Sequence, residues 1–141
     1  MENKLAEFGA FFKQKRILVS GATGFVGYHL CKDLLDLDAK VFGTAIDNNL
    51  HEDIRQTRGS CLDFRQAERL DQYIQDIQPQ VVFHLASLVN TSRQIELVYP
   101  TLEHNLLSTV NLMLSLVKHP VDKVIIVSSS EAPTGSETPN S

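Results

Sequence analysis

Short apolar runs alternate with longer amphipathic stretches through most of this 141-residue chain. The apolar runs predict five buried strands, at residues 16–20, 41–46, about 59–62, 81–85 and 123–128. The stretches between them predict helices at residues 25–37, 64–77 and 94–118, the last with a break near Pro100. Strands that alternate with helices of this length indicate βαβ units, and continuous apolar strands are typical of a sheet covered on both faces. We therefore expect an α/β fold, a doubly wound parallel sheet of about five strands.

A glycine-rich turn joins the first predicted strand to the first predicted helix. It reads Gly21-Ala22-Thr23-Gly24-Phe25-Val26-Gly27. Between a strand and a helix, such glycines permit a tight turn, let backbone N–H groups approach a pyrophosphate and let the helix pack on the sheet. The N-terminus of the helix adds a partial positive charge that favours phosphate. The pattern predicts a dinucleotide-binding domain of the Rossmann type. Its phosphate-binding residues would be Gly21, Thr23, Gly24, Phe25, Val26 and Gly27.

An acidic residue beyond the second strand is the usual partner of the adenosine ribose hydroxyls. Asp47 follows the second predicted strand and lies 20 positions after Gly27. A carboxylate there repels a 2′-phosphate, so we expect NAD as the cofactor, with NADP as the alternative. If the strand ends at Ala45, that residue takes the selecting position, and Arg55 or Arg58 could reach a 2′-phosphate. Asp47 would then be a turn residue.

Composition excludes several other classes of protein. The net charge of −4 disfavours nucleic acid as a partner, because phosphate binding needs a basic face. The apolar runs are far shorter than the roughly 20 residues of a membrane-spanning helix, and the acidic N-terminus does not resemble a secretory signal. Cys31 and Cys61 lack metal-binding spacing, as do the histidines, and we expect His84 to be packed rather than a ligand. We expect a cytoplasmic protein with reduced thiols and no bound metal.

The G-x-x-G-x-x-G spacing of the turn resembles the short-chain dehydrogenase/reductase superfamily. Two further segments resemble its extended branch, which acts on nucleotide sugars. Residues 59–63 (GSCLD) resemble the end of the third strand in that branch, which implies that Leu62 and Asp63 contact the adenine. Residues 83–87 (FHLAS) resemble its H-L-A-A strand end, which implies that the cofactor is lined by Leu85, Ala86 and Ser87.

The second half of the chain resembles the same branch. The segment PTLEHNLLSTVNLM resembles the signature P…N-x-x-G-T-x-N-L, which implies that Asn105 lies at the cofactor, although Ser108 replaces the usual glycine. Residues 127–130 (VSSS) resemble the active-site serine strand, which implies that Ser130 is catalytic, or Ser129 if the alignment shifts by one. Relatives often dimerise through the helix at 102–117. A homodimer is therefore expected, with burial by further chain as the alternative.

The branch uses a Tyr-x-x-x-Lys pair as its general base. The one match here, Tyr28 to Lys32, follows the phosphate turn directly, and we predict two neighbours on a helix surface. The catalytic pair is therefore absent from these 141 residues, and we expect this segment alone to be inactive. Some stretches, such as FFKQKRILVSGATGFVG and PQVVFHLA, resemble CDP-glucose 4,6-dehydratases, whereas Glu131, Ala132 and Thr134 depart from that pattern.

These resemblances together imply the NAD(P)-binding part of a nucleotide-sugar epimerase or dehydratase that acts by transient hydride transfer. The alternatives are a catalytically inactive dinucleotide-binding module and a truncated fragment. We expect an N-terminal extension at residues 1–13, a Rossmann domain at 14–131 and, at 132–141, a loop that leads to the absent catalytic segment.

Overall fold

A single parallel sheet of five strands organises the chain. The computed structural model describes Glu7, residues 9–47, Asn49 and residues 51–54, 57–88 and 94–127. The strands are β1 (Arg16–Ser20), β2 (Lys40–Ala45), β3 (Ser60–Cys61), β4 (Val81–His84) and β5 (Lys123–Ile126). They lie in the order β3-β2-β1-β4-β5, and every neighbouring pair is parallel. This is the strand order of a doubly wound Rossmann sheet, which confirms the predicted fold.

Helices cover both faces of this sheet. They are α1 (Phe25–Asp36), α2 (Ala67–Ile77), α3 (Val98–Thr101) and α4 (Ser108–Lys118). Short 3₁₀ turns lie at Glu52–Ile54 and Ile95–Leu97, and a π-helical turn at Leu102–Leu107 joins α3 to α4. None of the helices in the described ranges is long and apolar enough to cross a membrane.

Several predicted boundaries were wrong by one to three residues. Strand β2 begins at Lys40 and ends at Ala45 rather than at Ile46, β3 spans only Ser60–Cys61, and β4 ends at His84. Helix α2 begins at Ala67 rather than at residue 64, because residues 63–66 form a turn in which the Gln66 N–H donates to the Asp63 carbonyl at 3.0 Å.

The long predicted helix at 94–118 is divided into four pieces. Pro100 lies within α3, and the irregularity follows it in the π-helical turn. The predicted end of β5 at Ser128 lies outside the described residues.

Side chains that alternate along the strands build one core on each face. Ile17 and Val19 of β1 pack beneath α1 with Cys31 and Leu34, and Leu18 packs on the opposite face beneath α2 and α4. The second core is completed by Phe42, Leu62, Phe64, Leu70, Ile74, Val82, Leu112 and Leu116. Full burial of one such aliphatic side chain stabilises a fold by about 1.5–3 kcal/mol, so these two layers hold the carboxyl ends of the strands in place.

Among the residues that the structure describes, one face of α4 is covered and the other is not. Leu112 and Leu116 are buried against the sheet, as the apolar pattern predicts. The second face, for which we expect cover by a partner chain or by further chain, is exposed. Together with the preceding π-helical turn it presents the apolar residues Leu102, Leu106, Leu107, Val110, Met113, Leu114 and Val117. Ile125 and Ile126 of β5 are also partly exposed.

Candidate functional site

A cleft of about 270 Å³ opens at the carboxyl ends of β1, β2 and β4. In a doubly wound sheet this edge is where ligands bind, because the helices on the two faces diverge there. Many residues predicted for the cofactor line the cleft, namely Gly21, Thr23, Gly24, Asp47, Leu62, Asp63, Leu85, Ala86 and Ser87. The lining also includes Ser20, Thr44, Ala45, Ile46, Phe64, Leu88, His104 and Ser108.

The glycine-rich turn forms one wall of the cleft. Gly21 has a φ of 74°, a left-handed conformation that suits glycine, and its N–H donates to the Thr44 carbonyl at 2.8 Å. Gly24 is the N-cap of α1, and among the described residues no side chain caps this helix and no acidic residue lies in its first turn. Gly27 is buried where a Cβ would collide with the Gly21 carbonyl. The helix N-terminus is therefore left open to an anion.

Five predicted site residues do not line the cleft or are not described, and one of them is Gly27, which lies buried beneath the turn. The side chains of Phe25 and Val26 are 81% and 60% exposed, so only their backbone groups belong to the start of α1. Asn105 contacts the cleft indirectly: its Oδ1 accepts the Leu88 N–H at 2.6 Å and its Nδ2 donates to the Leu88 carbonyl at 3.1 Å. Ser130, with its alternative Ser129, lies outside the described residues.

The end of β2 carries the group predicted to select the cofactor. Ala45 is the last strand residue, and both Ala45 and the exposed Asp47 line the cleft. Asp47 also forms a turn, because its Oδ1 accepts the Asn49 N–H at 3.0 Å. The Arg58 guanidinium lies 5.9 Å from the centre of the Phe42 ring and is not part of the lining, and Arg55 lies outside the described residues. The described lining therefore offers a carboxylate, and no lysine or arginine, at this position.

The loop after β3 is fixed by an ion pair. The Arg65 Nη2 and Nε donate to the Asp63 Oδ2 at 2.6 and 2.9 Å, and the Arg65 Nη1 reaches the Glu103 carboxylate at 3.3 Å. The hydrogen bond from Arg65 is the main reason that the pKa of Asp63 is lowered. The Asn111 Nδ2 donates to the Phe64 carbonyl at 2.9 Å. These bonds attach the loop to the π-helical turn through Glu103 and to α4 through Asn111. The loop supplies Leu62 and Phe64 as apolar walls of the cleft.

A buried polar row crosses the sheet beneath the cleft. Ser20 pairs with Thr44 in the β1–β2 register and with His84 in the β1–β4 register, so all three lie on one face. Ser20 Oγ and His84 Nδ1 are 2.7 Å apart, and His84 Nε2 is 2.9 Å from Thr109 Oγ1. His84 is 3% exposed, as the expectation of a packed histidine requires, and burial lowers its pKa.

Sequence reasoning missed most of this row. Thr44 Oγ1 is buried and has no hydrogen-bond partner in the described part of the chain, which leaves a polar atom beside the cleft. His104 and Ser108 enter the lining from the π-helical turn and the start of α4. The period-two alternation of the strands could have indicated Ser20, Thr44 and His84, but only once the pairing of the strands was known.

Comparison with known proteins assigns the chain to a family. The sequence profile of the NAD dependent epimerase/dehydratase family matches residues 17–141. CDP-glucose 4,6-dehydratase of Salmonella typhimurium is 32% identical over 73% of this chain and 31% of its own length. A putative UDP-glucose 4-epimerase of Methanocaldococcus jannaschii is 27% identical over 84% of this chain and 39% of its own.

A solved structure of known function has a similar fold. The Thermus thermophilus UDP-glucose 4-epimerase, in complex with NAD, matches 87% of this chain and 42% of its own with a TM-score of 0.74 and 25% identity. The chain spans about two fifths of the length of its first curated relatives, 38–40%. The profile match over most of the chain and the strand order lead to one conclusion: the chain belongs to the NAD-dependent epimerase/dehydratase family.

Proposed function

We propose that this chain binds NAD in the cleft and forms the cofactor-binding part of a nucleotide-sugar epimerase or dehydratase. The observation that carries the proposal is the juxtaposition, in one cleft, of the uncapped start of α1 with the Leu85–Ser87 wall. A Cβ at Gly21 would lie 2.9 Å from the Ala86 nitrogen, so the turn and that wall approach as closely as backbone permits. The cradle fits a pyrophosphate that needs backbone N–H donors.

The remaining assignments follow the geometry of the cleft. Gly21, Thr23 and Gly24, with the backbone N–H groups of Phe25 and Val26, would hold the pyrophosphate, and Gly27 would keep α1 against the turn. The adenine would lie between the walls formed by Leu62 and Asp63, and the remainder of the cofactor would lie along Leu85, Ala86 and Ser87. Asn105 would act through its two hydrogen bonds to Leu88.

NAD is favoured over NADP by the charges near the end of β2. The Asp47 carboxylate lies in the lining and would accept hydrogen bonds from the ribose hydroxyls, whereas a 2′-phosphate would be repelled there. The Arg58 guanidinium lies over the Phe42 ring, where it supplies no partner to that phosphate.

The whole protein would act on a nucleotide sugar. When bound, NAD supplies the acceptor for a hydride that is removed from the sugar and later returned. Ser130 would hydrogen-bond the reacting oxygen of the sugar. Tyr28 and Lys32 do not supply the base, because Tyr28 packs on the core beneath α1 and lies 4.6 Å from the His51 ring. This 141-residue segment would therefore bind cofactor without turnover.

The proposal divides the chain as the sequence predicts. Residues 1–13 would be an N-terminal extension, residues 14–131 the Rossmann domain, and residues 132–141 a loop. A homodimer through the exposed face of the 102–117 helix would cover its apolar side chains. A cytoplasmic location agrees with the free thiols of Cys31 and Cys61.

A second candidate function is a non-catalytic module that senses the dinucleotide, which the same cleft supports.

The experiment is calorimetric titration of the chain with NAD, beside the variant Gly24→Val. The backbone of Gly24 is extended, with a φ of −74° and a ψ of 163°, which valine can adopt. Its Cβ would lie 3.3 Å from the Gly21 carbonyl oxygen, so the turn must give by a few tenths of an ångström, and the side chain would project beside the phosphate path. We expect micromolar binding to weaken at least tenfold, about 1.4 kcal/mol, with an unchanged circular dichroism spectrum. Gly9→Ala, on a glycine remote from the cleft, is the control. Binding that survives Gly24→Val would remove the case for the turn.

A further inference from the structure

We propose that His84, as its neutral Nε2–H tautomer, is a positioning residue that holds the backbone of residues 85–88 in shape at the cofactor cleft. The proposal rests on the proposed function, because that segment is the wall along which NAD would lie. The imidazole does not line the cleft itself. It acts through the Ser20 hydroxyl on one side and through Thr109 on the other.

The hydrogen bonds around Ser20 fix the tautomer. The Leu85 and Ala86 N–H groups both donate to Ser20 Oγ at 3.1 Å. A hydroxyl has two lone pairs and one hydrogen, so Ser20 has used its acceptor capacity and must donate its hydrogen. Its remaining partner is His84 Nδ1 at 2.7 Å, which must therefore carry no proton. The proton of the neutral ring lies on Nε2.

From His84 the hydrogen bonds run in the same donor-to-acceptor direction toward the end of the segment 85–88. His84 Nε2–H donates to Thr109 Oγ1 at 2.9 Å, and the Thr109 hydroxyl donates to the Asn105 carbonyl at 2.6 Å. Asn105 in turn binds the N–H and the carbonyl of Leu88. Residues 85–88 are thus held at their start by Ser20 and at their end by Asn105, and His84 joins these two anchors through Thr109.

A second proton on the ring would reverse one of these bonds. The imidazolium has two donors, so Nδ1–H would face the Ser20 hydroxyl, which could accept it only by releasing the N–H of Leu85 or Ala86. The Leu85 N–H would keep its second acceptor, the Ser20 carbonyl at 3.3 Å, whereas a released Ala86 N–H would remain partly buried without an acceptor in the described part of the chain. An unpaired buried amide costs about 1–3 kcal/mol. Protonation of His84 therefore loosens the cleft wall.

The surroundings keep the ring neutral. Phe64 stacks on it at 5.9 Å with an interplanar angle of 5°, and burial lowers the pKa of His84. The charged groups on the elements around it are engaged elsewhere or remote: Asp63 and Glu103 pair with Arg65, Lys118 at the far end of α4 pairs with Asp71, and Arg16 lies at the other end of β1. His104 lines the cleft from the π-helical turn, where it lowers the pKa of Asp63.

Two substitutions separate the two hydrogen bonds. In His84→Asn the short amide lies near the former Nδ1 and can still accept from Ser20, whereas in His84→Gln the amide lies near the former Nε2 and leaves Ser20 without an acceptor. We expect His84→Gln and Ser20→Ala to weaken NAD binding about tenfold. His84→Asn should retain most of the affinity, and the exposed His29→Gln should retain all of it. If His84→Asn and His84→Gln weakened binding equally, the positioning role would be refuted.

Measurements of the ring tautomer and of the pH dependence of NAD binding complete the test. Nitrogen-15 NMR of the histidine rings should show His84 with a bare Nδ1 and a protonated Nε2 at pH 7, and the opposite tautomer would overturn the proposal. NAD affinity should be constant from pH 8 to 6 and fall at lower pH, and this fall should be absent in His84→Asn. A chain that bound no NAD would refute the proposed function. The tautomer and the exchange protection of the Leu85 and Ala86 amides in His84→Gln would then still decide the positioning role.

Discussion

A Cβ at Gly21 would lie 2.9 Å from the Ala86 nitrogen, so the turn after β1 and the wall after β4 are in direct backbone contact. The φ of 74° at Gly21 adds a second constraint, because residues with a Cβ adopt this conformation only with strain. The two sides of the candidate NAD site therefore depend on the same glycine.

Gly21→Ala should both destabilise the fold and impair NAD binding. The left-handed backbone and the contact with Ala86 together should lower the free energy of unfolding by roughly 1–3 kcal/mol, the usual cost of a strained residue. Urea unfolding and calorimetry would measure the two effects on the same sample. Gly24→Val needs no left-handed backbone and meets a milder contact, 3.3 Å from the Gly21 carbonyl oxygen, so it should affect binding more than stability. Equal stability of Gly21→Ala and the unaltered chain would show that the turn can relax away from Ala86.

Asp47→Ala should weaken NAD binding more than NADP binding. The carboxylate lies beside the end of β2 in the cleft, and a hydrogen bond to a charged group is worth about 1.5–3 kcal/mol, so NAD affinity should fall roughly tenfold or more. NADP affinity should be unchanged or improve, because the repulsion of its 2′-phosphate is removed. Calorimetric titration with both cofactors gives the comparison, and Asp76→Ala on α2 is the control. Equal losses for both cofactors would move the selecting role to the Ala45 position.

Asp63→Asn should remove part of the acid sensitivity of the fold. The hydrogen bond from Arg65 holds the pKa of Asp63 below its ordinary value. A carboxyl with a lowered pKa in the folded state contributes stability that is complete above its unfolded pKa of about 3.9 and is lost as the pH falls through the folded value.

The effect should be modest, because Arg65 and Glu103 are partly exposed and such pairs contribute about 1 kcal/mol or less. Urea unfolding of Asp63→Asn should therefore depend less on pH between about pH 5 and 3 than that of the unaltered chain. Asp36→Asn, at the exposed end of α1, should retain the original dependence. An unchanged slope in Asp63→Asn would assign the acid sensitivity to other carboxyls.

The sequence patterns that depend on near neighbours predicted the fold well. β1 at Arg16–Ser20 has the predicted bounds, and α1 begins at the predicted Phe25, because a buried apolar run and a glycine-rich turn are local signals. Ile46 continues the apolar pattern of β2 but leaves the strand, since β3 pairs only as far as Ala45. Hydrophobicity alone does not report where a partner strand stops.

The irregular helix and the polar row could not be predicted in this way. The π-helical turn at Leu102–Leu107 carries one tertiary contact, the hydrogen bonds of Asn105 to Leu88, and one local contact, the Ser108 hydroxyl that donates to the Glu103 carbonyl at 3.3 Å. Family resemblance indicated Asn105 as a cofactor residue, and its side chain forms two hydrogen bonds to the Leu88 backbone at the edge of the cleft. A contact between residues that lie 17 positions apart, as here, produces no periodic sequence pattern from which it could be predicted.

The exposed apolar face of the 102–117 helix should drive self-association. Leu106 and Val117 are 59% and 77% exposed and lie on the side of the helix that does not cover the sheet. Apolar surface of this extent marks an interface, because its burial is favourable by about 25 cal/mol per Å². Light scattering should therefore find dimers of the chain, and the double variant Leu106→Glu/Val117→Glu should be monomeric. Ile126→Glu, on the edge strand β5, separates this surface from edge pairing: dimers that dissociate only in Ile126→Glu would place the contact on β5 instead.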